Sequence, residues 1–239
     1  MKVKVLGTGT TYTGFNCAGV LVNNDTLFDI GLGTIKQLLR DGHRLLDIKY
    51  LVVSHLHFDH IWDFPILVCN NILNDREHVL KIYGPKGLDA KLEDIIKAAN
   101  LDSNSLMMEY LKKSCKIHVV TDGFEEEIGG NTVRVYRMDH GAVEAYGYNI
   151  NHELSYTGDT GFCENVQALA KNSTHLICDC SCVEGIATHM GINDLNMVAA
   201  KNPSLKIIPV HFRAGTREVL KKSNPYKYKL VNDGDVFEI

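Results

Sequence analysis

The chain has 239 residues, of which 45% are hydrophobic and 23% are charged, and its formal net charge at pH 7 is −4. This length suits one α/β domain built around a sizeable core, and no linker-like stretch divides residues 1–239. The mildly acidic balance excludes a protein whose whole surface binds nucleic acid, so we expect no large nucleic-acid interface.

Short apolar runs separated by Gly, Thr and Asn predict strands in the first third of the chain, and the first three of them form a meander. A helix follows them, because Ile35, Leu38 and Leu39 recur at helical spacing and Gly42 stands where a C-terminal cap is expected. The predicted elements are strands at 3–6, 18–22, 27–30, 48–54 and 80–83, a helix at 34–40, and a helix or loop at 61–73.

A helical stretch at 88–113, broken at 100–104, leads into a second region in which strands and helices alternate. Two strand-rich halves that each carry helices predict two sheets packed face to face, with helices on the outer faces. The predicted elements are strands at 117–120, 132–138, 146–151, 154–157, 175–179, 205–210 and 236–239, and helices at 164–170, 193–200 and 216–222.

Cysteine usage and the N-terminal residues favour a reducing compartment. Seven cysteines are an odd number, and the residues from Met1 to Gly7 lack the apolar core of a signal peptide. No apolar run approaches the roughly 18 residues that span a bilayer. We therefore expect a cytoplasmic protein without a membrane segment.

Four candidate metal ligands directly follow the predicted strand at 48–54, in the pattern H-x-H-x-D-H. Side chains two residues apart on an extended strand point to the same side, so His55 and His57 can reach one ion. Asp59 and His60 come just after, where a turn or helix start can aim them at a second ion. Imidazole and carboxylate ligands suit zinc and related divalent ions, so the pattern predicts a metal site.

Three more candidate ligands, His140, Asp159 and His211, each follow an apolar strand. Strand ends are where an open sheet presents side chains to a shared crevice. With H-x-H-x-D-H and the Thr-Gly-Asp-Thr motif around Asp159, they resemble the metallo-β-lactamase superfamily. The resemblance covers essentially the whole chain, including the opening Leu-Gly-Thr-Gly-Thr and the closing Asp-Gly-Asp.

This resemblance implies a four-layer αββα sandwich of the α/β class and a hydrolase with two divalent ions. Zinc is the expected metal, with manganese or iron as alternatives. Such ions lower the pKa of a bound water and clamp the oxygens of an in-line displacement. The implied ligands are His55, His57 and His140 for one ion, Asp59, His60 and His211 for the other, and Asp159 as the bridge between them.

The segment from Leu176 to Ser181, followed by Thr188-His189-Met190, resembles the phosphodiesterase branch of the superfamily. This branch includes tRNase Z and small cyclic-nucleotide and phosphonate-pathway phosphodiesterases. The resemblance implies that Asp179 holds one nitrogen of His189 while the other assists the leaving oxygen. Asp59 is expected to orient the attacking hydroxide besides binding metal.

Asp179 stands where tRNase Z typically has Glu, and its shorter side chain can weaken the Asp179–His189 pair or place it differently. Two other departures from tRNase Z favour a small cyclic or single-stranded nucleotide substrate over precursor tRNA. His140 and Asp159 are too close in sequence to enclose the long basic tRNA-binding arm. The usual Ser-x-Arg-Tyr after the last ligand is also missing. A tRNase Z-like ribonuclease stays an alternative, and a homodimer is the expected assembly if the chain follows many of its relatives.

Two other functions fit the same motif. Thioester or lactone hydrolysis on the same metals needs no His189. A non-hydrolytic diiron redox, sensor or binding protein is disfavoured by His57, because diiron relatives usually have Glu there.

Two further features have open interpretations. Tyr12, Phe15 and Trp62 either line a substrate rim or fill the core. A basic segment with a single acid, Glu218, either draws phosphate-bearing substrates toward the metals or forms an ordinary solvated surface. Its basic members are Arg213, Arg217, Lys221, Lys222, Lys227 and Lys229.

Overall fold

The computed structural model describes residues 1–99, 104–223 and 228–239, and these contain thirteen strands, eight α-helices and a 3₁₀ turn at Leu45–Asp47. The strands are β1 (Lys2–Gly7), β2 (Gly19–Val22), β3 (Thr26–Phe28), β4 (Tyr50–Val52), β5 (Leu80–Gly84), β6 (Cys115–Val119), β7 (Glu125–Ile128), β8 (Asn131–His140), β9 (Val143–Ile150), β10 (Leu154–Tyr156), β11 (His175–Asp179), β12 (Lys206–Val210) and β13 (Val236–Glu238). The helices are α1 (Thr34–Arg40), α2 (Phe58–Ile61), α3 (Phe64–Leu73), α4 (Leu88–Ala98), α5 (Asn104–Ser114), α6 (Glu164–Lys171), α7 (Ile192–Lys201) and α8 (Thr216–Ser223).

The strands form two sheets. The first has the order β13-β1-β2-β3-β4-β5-β6 and the second has the order β12-β11-β10-β9-β8-β7. The meander β1-β2-β3 is antiparallel, whereas β3 to β6 run parallel, as do β10, β11 and β12. The carboxyl ends of neighbouring parallel strands lie at the same edge of a sheet, so side chains from the loops that follow these strands can form one site.

Three apolar layers hold the sheets and helices together. The central layer joins the two sheets and includes Phe28 of β3 and Tyr148 of β9, whose ring centroids are 5.7 Å apart. A second layer packs the first sheet against α1, α3, α4 and α5, and a third packs the second sheet against α6, α7 and α8. The predicted αββα sandwich is therefore confirmed.

Most predicted elements are present with small shifts at their ends, and helix α1 has the predicted bounds. The region predicted as helix or loop contains α2 and α3, and α3 has Pro65 in its first turn, where a missing N–H costs little. The predicted break at 100–104 lies outside the described residues except for Asn104, which begins α5.

Strand β7 was missed because its sequence does not look like a strand. It begins with three consecutive glutamates, so it lacks both the apolar alternation and the β-branched residues that predict strands. It lies at the edge of the second sheet, where β8 is its only partner among the described residues, and charged residues are tolerated at such edges.

In the part of the chain that the structure describes, no helix is both long enough and apolar enough to cross a membrane.

The hydroxyl of Tyr148 connects the second sheet to the loop that carries the H-x-H-x-D-H motif. It donates a hydrogen bond of 2.7 Å to the carbonyl oxygen of Val53, and both residues are fully buried. We expect Tyr148→Phe to lower the free energy of unfolding by about 1–3 kcal/mol, because the buried carbonyl loses its partner while the ring packing is kept. Equilibrium unfolding in urea measures the change.

Tyr12→Phe is the matched control, because the Tyr12 side chain is 85% exposed, and its effect should stay within about 0.5 kcal/mol. Equal effects of the two substitutions would contradict the assigned hydrogen bond.

Candidate metal centre

The H-x-H-x-D-H motif occupies the loop after β4 and the short helix α2, for which His57 is the N-terminal cap residue. Helix α2 packs directly against the backbone of the loop after β3. The N–H of Ile30 in that loop donates a hydrogen bond of 2.8 Å to the carbonyl oxygen of His60. A Cβ atom at Gly31 would lie 2.0 Å from the carbonyl oxygen of Asp59. Only glycine therefore permits this approach, which fixes the position of the motif.

Three imidazoles converge on the first half of the cluster. The Nδ1 atom of His57 lies 3.0 Å from Nε2 of His55 and 3.2 Å from Nε2 of His140. An oxygen of Asp159 is 3.8 Å from the same Nε2 atom of His55. These atoms are close enough to one another to share a single ion.

The second half of the cluster joins two imidazoles and two carboxylates. The Nε2 atom of His60 lies 3.2 Å from an oxygen of Asp159, and Nε2 of His211 lies 3.4 Å from both Asp59 and Asp159. Asp159 thus lies between the two halves. The structure brings together all seven residues that the sequence suggested as ligands. The ligand atoms lie within 4.8 Å of one another in three overlapping sets, which are His55, His57, His140 and Asp159; Asp59, His60 and His211; and Asp159, Asp179, His189 and His211.

Hydrogen bonds to the Nδ1 atoms orient two of the histidine rings for metal binding. The Nδ1 atom of His140 lies 2.7 Å from the carbonyl oxygen of Thr188, which can only accept, so Nδ1 carries the proton. The Nδ1 atom of His60 likewise lies 2.7 Å from the carboxylate of Asp29. When Nδ1 carries the only ring proton, Nε2 presents its lone pair to the cluster, which is the usual arrangement of a metal-ligating histidine.

Two buried atoms of the cluster lack a hydrogen bond. Nε2 of His60 and Oδ1 of Asp159 face each other at 3.2 Å without hydrogen-bond geometry to each other or to any other described residue. An unpaired buried nitrogen or oxygen costs about 1–3 kcal/mol, so the arrangement calls for a further partner. A nitrogen and oxygen donor set suits zinc or manganese, and these residues fit such an ion.

Burial and mutual charges shift the titration of these groups. Burial lowers the pKa of His55 well below its ordinary value, with a further contribution from His60. Burial also opposes the charge on His60, but the carboxylates of Asp159 and Asp29 outweigh it and raise the pKa of His60. Burial likewise opposes the charge on Asp159, but His211 and His60 hold the pKa of its carboxyl well below the usual range. The carboxylate of Asp159 is therefore ionised and available as a ligand.

Asp29 is the functional neighbour that sequence reasoning missed. It is fully buried with a φ of 56°, a left-handed conformation that few non-glycine residues adopt. Its two oxygens accept from the N–H and the hydroxyl of Ser54 and from the hydroxyl of Tyr156, in addition to His60. The available signal was a carboxylate directly after an apolar strand and two residues before Gly31.

Asp179 and His189 lie beside the cluster and contact each other. An oxygen of Asp179 is 2.8 Å from Nδ1 of His189, so Nε2 is the ring nitrogen that a substrate can reach. The N–H and hydroxyl of Ser181 donate to the other oxygen of Asp179. The ring of His189 stacks on that of His211 with a centroid distance of 5.5 Å and an interplanar angle of 13°.

The basic segment at 213–229 does not form one charged surface. The side chain of Arg217 is buried between the rings of Phe15 and Phe212, at 5.1 Å and 5.5 Å from their centroids. Lys229 lies 4.1 Å from the centroid of Phe237 in β13. The remaining members are Arg213, Lys221 and Lys222, which are exposed, and Lys227, which lies outside the described residues.

Comparison with solved structures supports the fold. The metallo-β-lactamase fold protein YhfI from Bacillus subtilis has a TM-score of 0.77 and 19% identity, with 100% of this chain and 98% of that chain covered. A diphosphatase of the PhnP family also has a TM-score of 0.77 and 19% identity, with 100% and 97% covered.

Comparison of sequences finds ribonucleases. Ribonuclease BN of Cronobacter sakazakii is 31% identical over 161 residues, which cover 64% of this chain and 50% of that protein, so the chain spans about half of its length. Ribonuclease Z of Staphylococcus carnosus is 24% identical over 315 aligned positions that cover both chains completely.

The chain has the metallo-β-lactamase fold with a His/Asp cluster that fits a metal ion, and it is similar to ribonuclease Z in sequence and to a PhnP-family diphosphatase in structure. Within this class, the family model described as anti-Pycsar protein Apyc1 matches residues 1–237. The chain belongs to that family.

The carboxylate of Asp29 orients His60, so its removal should weaken metal binding. We expect Asp29→Asn to lower the affinity for zinc about 10- to 100-fold, the range found when partners behind a ligating histidine are removed. Competition against a chromophoric zinc chelator measures this affinity.

Asp41→Asn is the control for the loss of a carboxylate, because Asp41 pairs with Lys4 away from the cluster. Unchanged zinc affinity in folded Asp29→Asn protein would show that Asp29 has no positioning role.

Proposed function

We propose that the protein is a phosphodiesterase with a dinuclear zinc or manganese centre, and that it acts on small cyclic or single-stranded nucleotide phosphodiesters. The observation that carries this proposal is the Asp179–His189 pair, in contact at 2.8 Å directly beside the seven clustered residues. Thioester or lactone hydrolysis needs no such proton donor. The relatives named as ribonucleases and the PhnP-family diphosphatase support the same chemistry.

The proposed ligand assignment follows the two halves of the cluster. Divalent ions bound there supply an activated water and neutralise the charge that develops on the phosphate oxygens. Asp59 also orients the attacking water. The residues that would hold the ions are His55, His57 and His140 for the first, Asp59, His60 and His211 for the second, and Asp159 for both.

His189 supplies the proton for the leaving group. When the P–O bond breaks, the Nε2 proton of protonated His189 passes to the departing oxygen, which leaves as an alcohol. The attacking water contributes its oxygen to phosphorus and releases a proton, so one water is consumed. Asp179 accepts from Nδ1, which keeps the ring in the required orientation.

Two observations favour a small or single-stranded substrate over a folded RNA. Between His140 and Asp159 the chain forms only β9, β10 and short turns, which leave no room for a long RNA-binding arm. The alignment with ribonuclease Z of S. carnosus runs over 315 positions against 239 residues here, so that relative contains inserted segments that this chain lacks. A cytoplasmic location and a homodimer stay predictions.

The family name describes an anti-Pycsar protein, and we extend that description to this chain. On this proposal, the chain acts against Pycsar by hydrolysing a phosphodiester.

The leaving-group role of His189 predicts a dependence on the basicity of the leaving oxygen. We expect His189→Gln to lower kcat/KM about 10²- to 10⁴-fold for a cyclic nucleotide, whose leaving oxygen is an alkoxide. The loss should be much smaller for bis(p-nitrophenyl) phosphate, whose leaving group needs little protonation. His152→Gln is the control, because His152 is an exposed histidine in the turn between β9 and β10. Equal losses for both substrates would assign His189 a different role.

Metal removal should abolish hydrolysis reversibly. We expect dialysis against a chelator to eliminate turnover of bis(p-nitrophenyl) phosphate, and addition of zinc or manganese to restore it at about two ions per chain. Elemental analysis of the protein together with the rates measures both quantities. Full activity in metal-free protein would refute the dinuclear mechanism.

The class of substrate can be tested on a single purified sample. We expect a phosphodiester to be hydrolysed and a thioester of matched leaving-group acidity to be hydrolysed at least about 100-fold more slowly, since His189 assists only the former. A preference for the thioester would favour the thioesterase or lactonase alternative. Cleavage of precursor tRNA in preference to cyclic nucleotides would favour the tRNase Z-like alternative.

A further inference from the structure

Ser181, in the loop after β11, is a fully buried serine that contacts both parts of the site. Its Oγ atom lies 2.8 Å from Nδ1 of His211, 2.7 Å from Oδ1 of Asp179 and 3.2 Å from Nδ1 of His189. His211 belongs to the second half of the cluster, whereas Asp179 and His189 form the pair beside it. One hydroxyl group therefore joins a candidate metal ligand to the candidate proton donor.

The direction of these hydrogen bonds follows from the single proton of the hydroxyl. The carboxylate of Asp179 at 2.7 Å and the carbonyl oxygen of His211 at 2.9 Å can only accept, so this proton is donated to them. Toward Nδ1 of His211, Oγ can then act only as an acceptor, so Nδ1 carries a proton. Nε2 of the same ring faces two carboxylates of the cluster at 3.4 Å. His211 is thus oriented like His140 and His60, whose Nδ1 atoms also face acceptors.

The same serine holds the carboxylate that orients His189. The N–H and the hydroxyl of Ser181 donate to Oδ1 of Asp179, while Oδ2 accepts from Nδ1 of His189 and from the N–H of Thr160. Each oxygen of the carboxylate has its own donors, so the carboxylate is fixed in rotation. The backbone of Ser181 is held in turn, because its carbonyl oxygen accepts from the hydroxyl of Thr216 at 2.9 Å.

This arrangement does not suit Ser181 to act as a nucleophile. Its side chain is fully buried and lies on the Nδ1 side of His189, where Asp179 also binds, whereas a substrate can reach Nε2. A serine nucleophile is hydrogen-bonded to the ring nitrogen opposite the carboxylate. Its contacts therefore indicate a role in holding other groups.

We infer that Ser181 is a positioning residue that fixes the proton donor His189 relative to the second half of the metal centre. This inference rests on the proposed phosphodiesterase activity and deepens it, because one shared side chain positions both a metal ligand and the group that assists the leaving oxygen. Loss of the hydroxyl should weaken metal binding through His211 and displace His189 through Asp179.

The dependence on the leaving group tests the link to His189. With zinc in excess, we expect Ser181→Ala to lower kcat/KM about 10- to 100-fold for a cyclic nucleotide and much less for bis(p-nitrophenyl) phosphate. The variant should fold, because Asp179 keeps its hydrogen bonds from the two N–H groups and from His189. Equal losses for both substrates would overturn the link.

Ser155→Ala is the matched control for the loss of a buried hydroxyl. Ser155 of β10 is as fully buried as Ser181, and its hydroxyl accepts from the side-chain amide of Asn149 away from the cluster. We expect this variant to leave the ratio of the two kcat/KM values and the zinc affinity unchanged.

Zinc affinity tests the link to His211 without measuring activity. We expect Ser181→Ala to lower it about 10- to 100-fold in competition against a chromophoric chelator, as for other partners behind a ligating histidine. Ser181→Thr keeps the hydroxyl and should retain most of the affinity and of the substrate ratio. Unchanged affinity in Ser181→Ala would overturn the link to His211.

A measurement on the wild type needs no variant. In NMR spectra of zinc-loaded protein with isotope-labelled histidine, we expect the ring proton of His211 to be on Nδ1 and to exchange slowly with solvent, because it donates to a buried hydroxyl. A proton on Nε2 instead would overturn the assigned direction of the hydrogen bond.

A double variant separates this inference from the activity on which it rests. If Ser181 acts through His189, adding Ser181→Ala to His189→Gln should lower kcat/KM for the cyclic nucleotide less than about 3-fold further. Losses that multiply would contradict the link. A wild type that hydrolyses no phosphodiester would refute the proposed function, and zinc affinity would still test Ser181. A large loss in His189→Gln with none in Ser181→Ala would refute the role of Ser181 alone.

Discussion

The rest of the site depends on the carboxylate of Asp29 and on the hydrogen bonds that it accepts. It accepts from the loop before α2 through Ser54, from α2 through His60, and from the second sheet through Tyr156. Burial raises the pKa of the Tyr156 hydroxyl well above its ordinary value, so this group stays a donor. One buried charge thus gathers both sheets and the metal-binding motif around itself, and it is stable there because every neighbour donates to it.

This arrangement is that of a preorganised site, in which the residues are held in position before a ligand binds. Burying an ionised carboxylate without partners is prohibitive, so Asp29 forces Ser54 and His60 into fixed positions. The Nε2 atom of His60 then faces Asp159 without a hydrogen bond between them, and a cation is a partner that both atoms can bind. The left-handed backbone of Asp29 and of His211, with φ of 56° and 60°, is local strain kept at the same centre.

Much of this centre could be predicted from the sequence, because the spacing of His55, His57, Asp59 and His60 is local. The strand was predicted to reach 54 but ends at Val52, so His55 and His57 lie in the loop after it. The layer arrangement could be predicted from the alternation of strands and helices. What could not be predicted depends on contacts between distant residues. Asp29 and Tyr156 meet across the interface of two sheets, and no periodicity links them.

Burial also determines which charged and aromatic side chains are available at the surface. Arg217 counted in the sequence as part of a basic surface, but the structure buries it between two aromatic rings. Trp62 resembled a core residue as much as a rim residue, and its exposure is a property of how α2 docks on Gly31. Strand β7 was hidden because its glutamates are tolerated at an edge that only the tertiary structure defines.

The hydrogen bond from His140 to the carbonyl oxygen of Thr188 has a consequence for the evolution of this architecture. Thr188 precedes His189 in the same loop, so one short segment both orients a residue of the first half of the cluster and carries the proposed proton donor. The loop cannot be exchanged for that of a relative as a module without disturbing His140. Substrate specificity in such a chain should therefore change through exposed side chains around the metal centre, which can be substituted without disturbing the buried hydrogen bonds behind them.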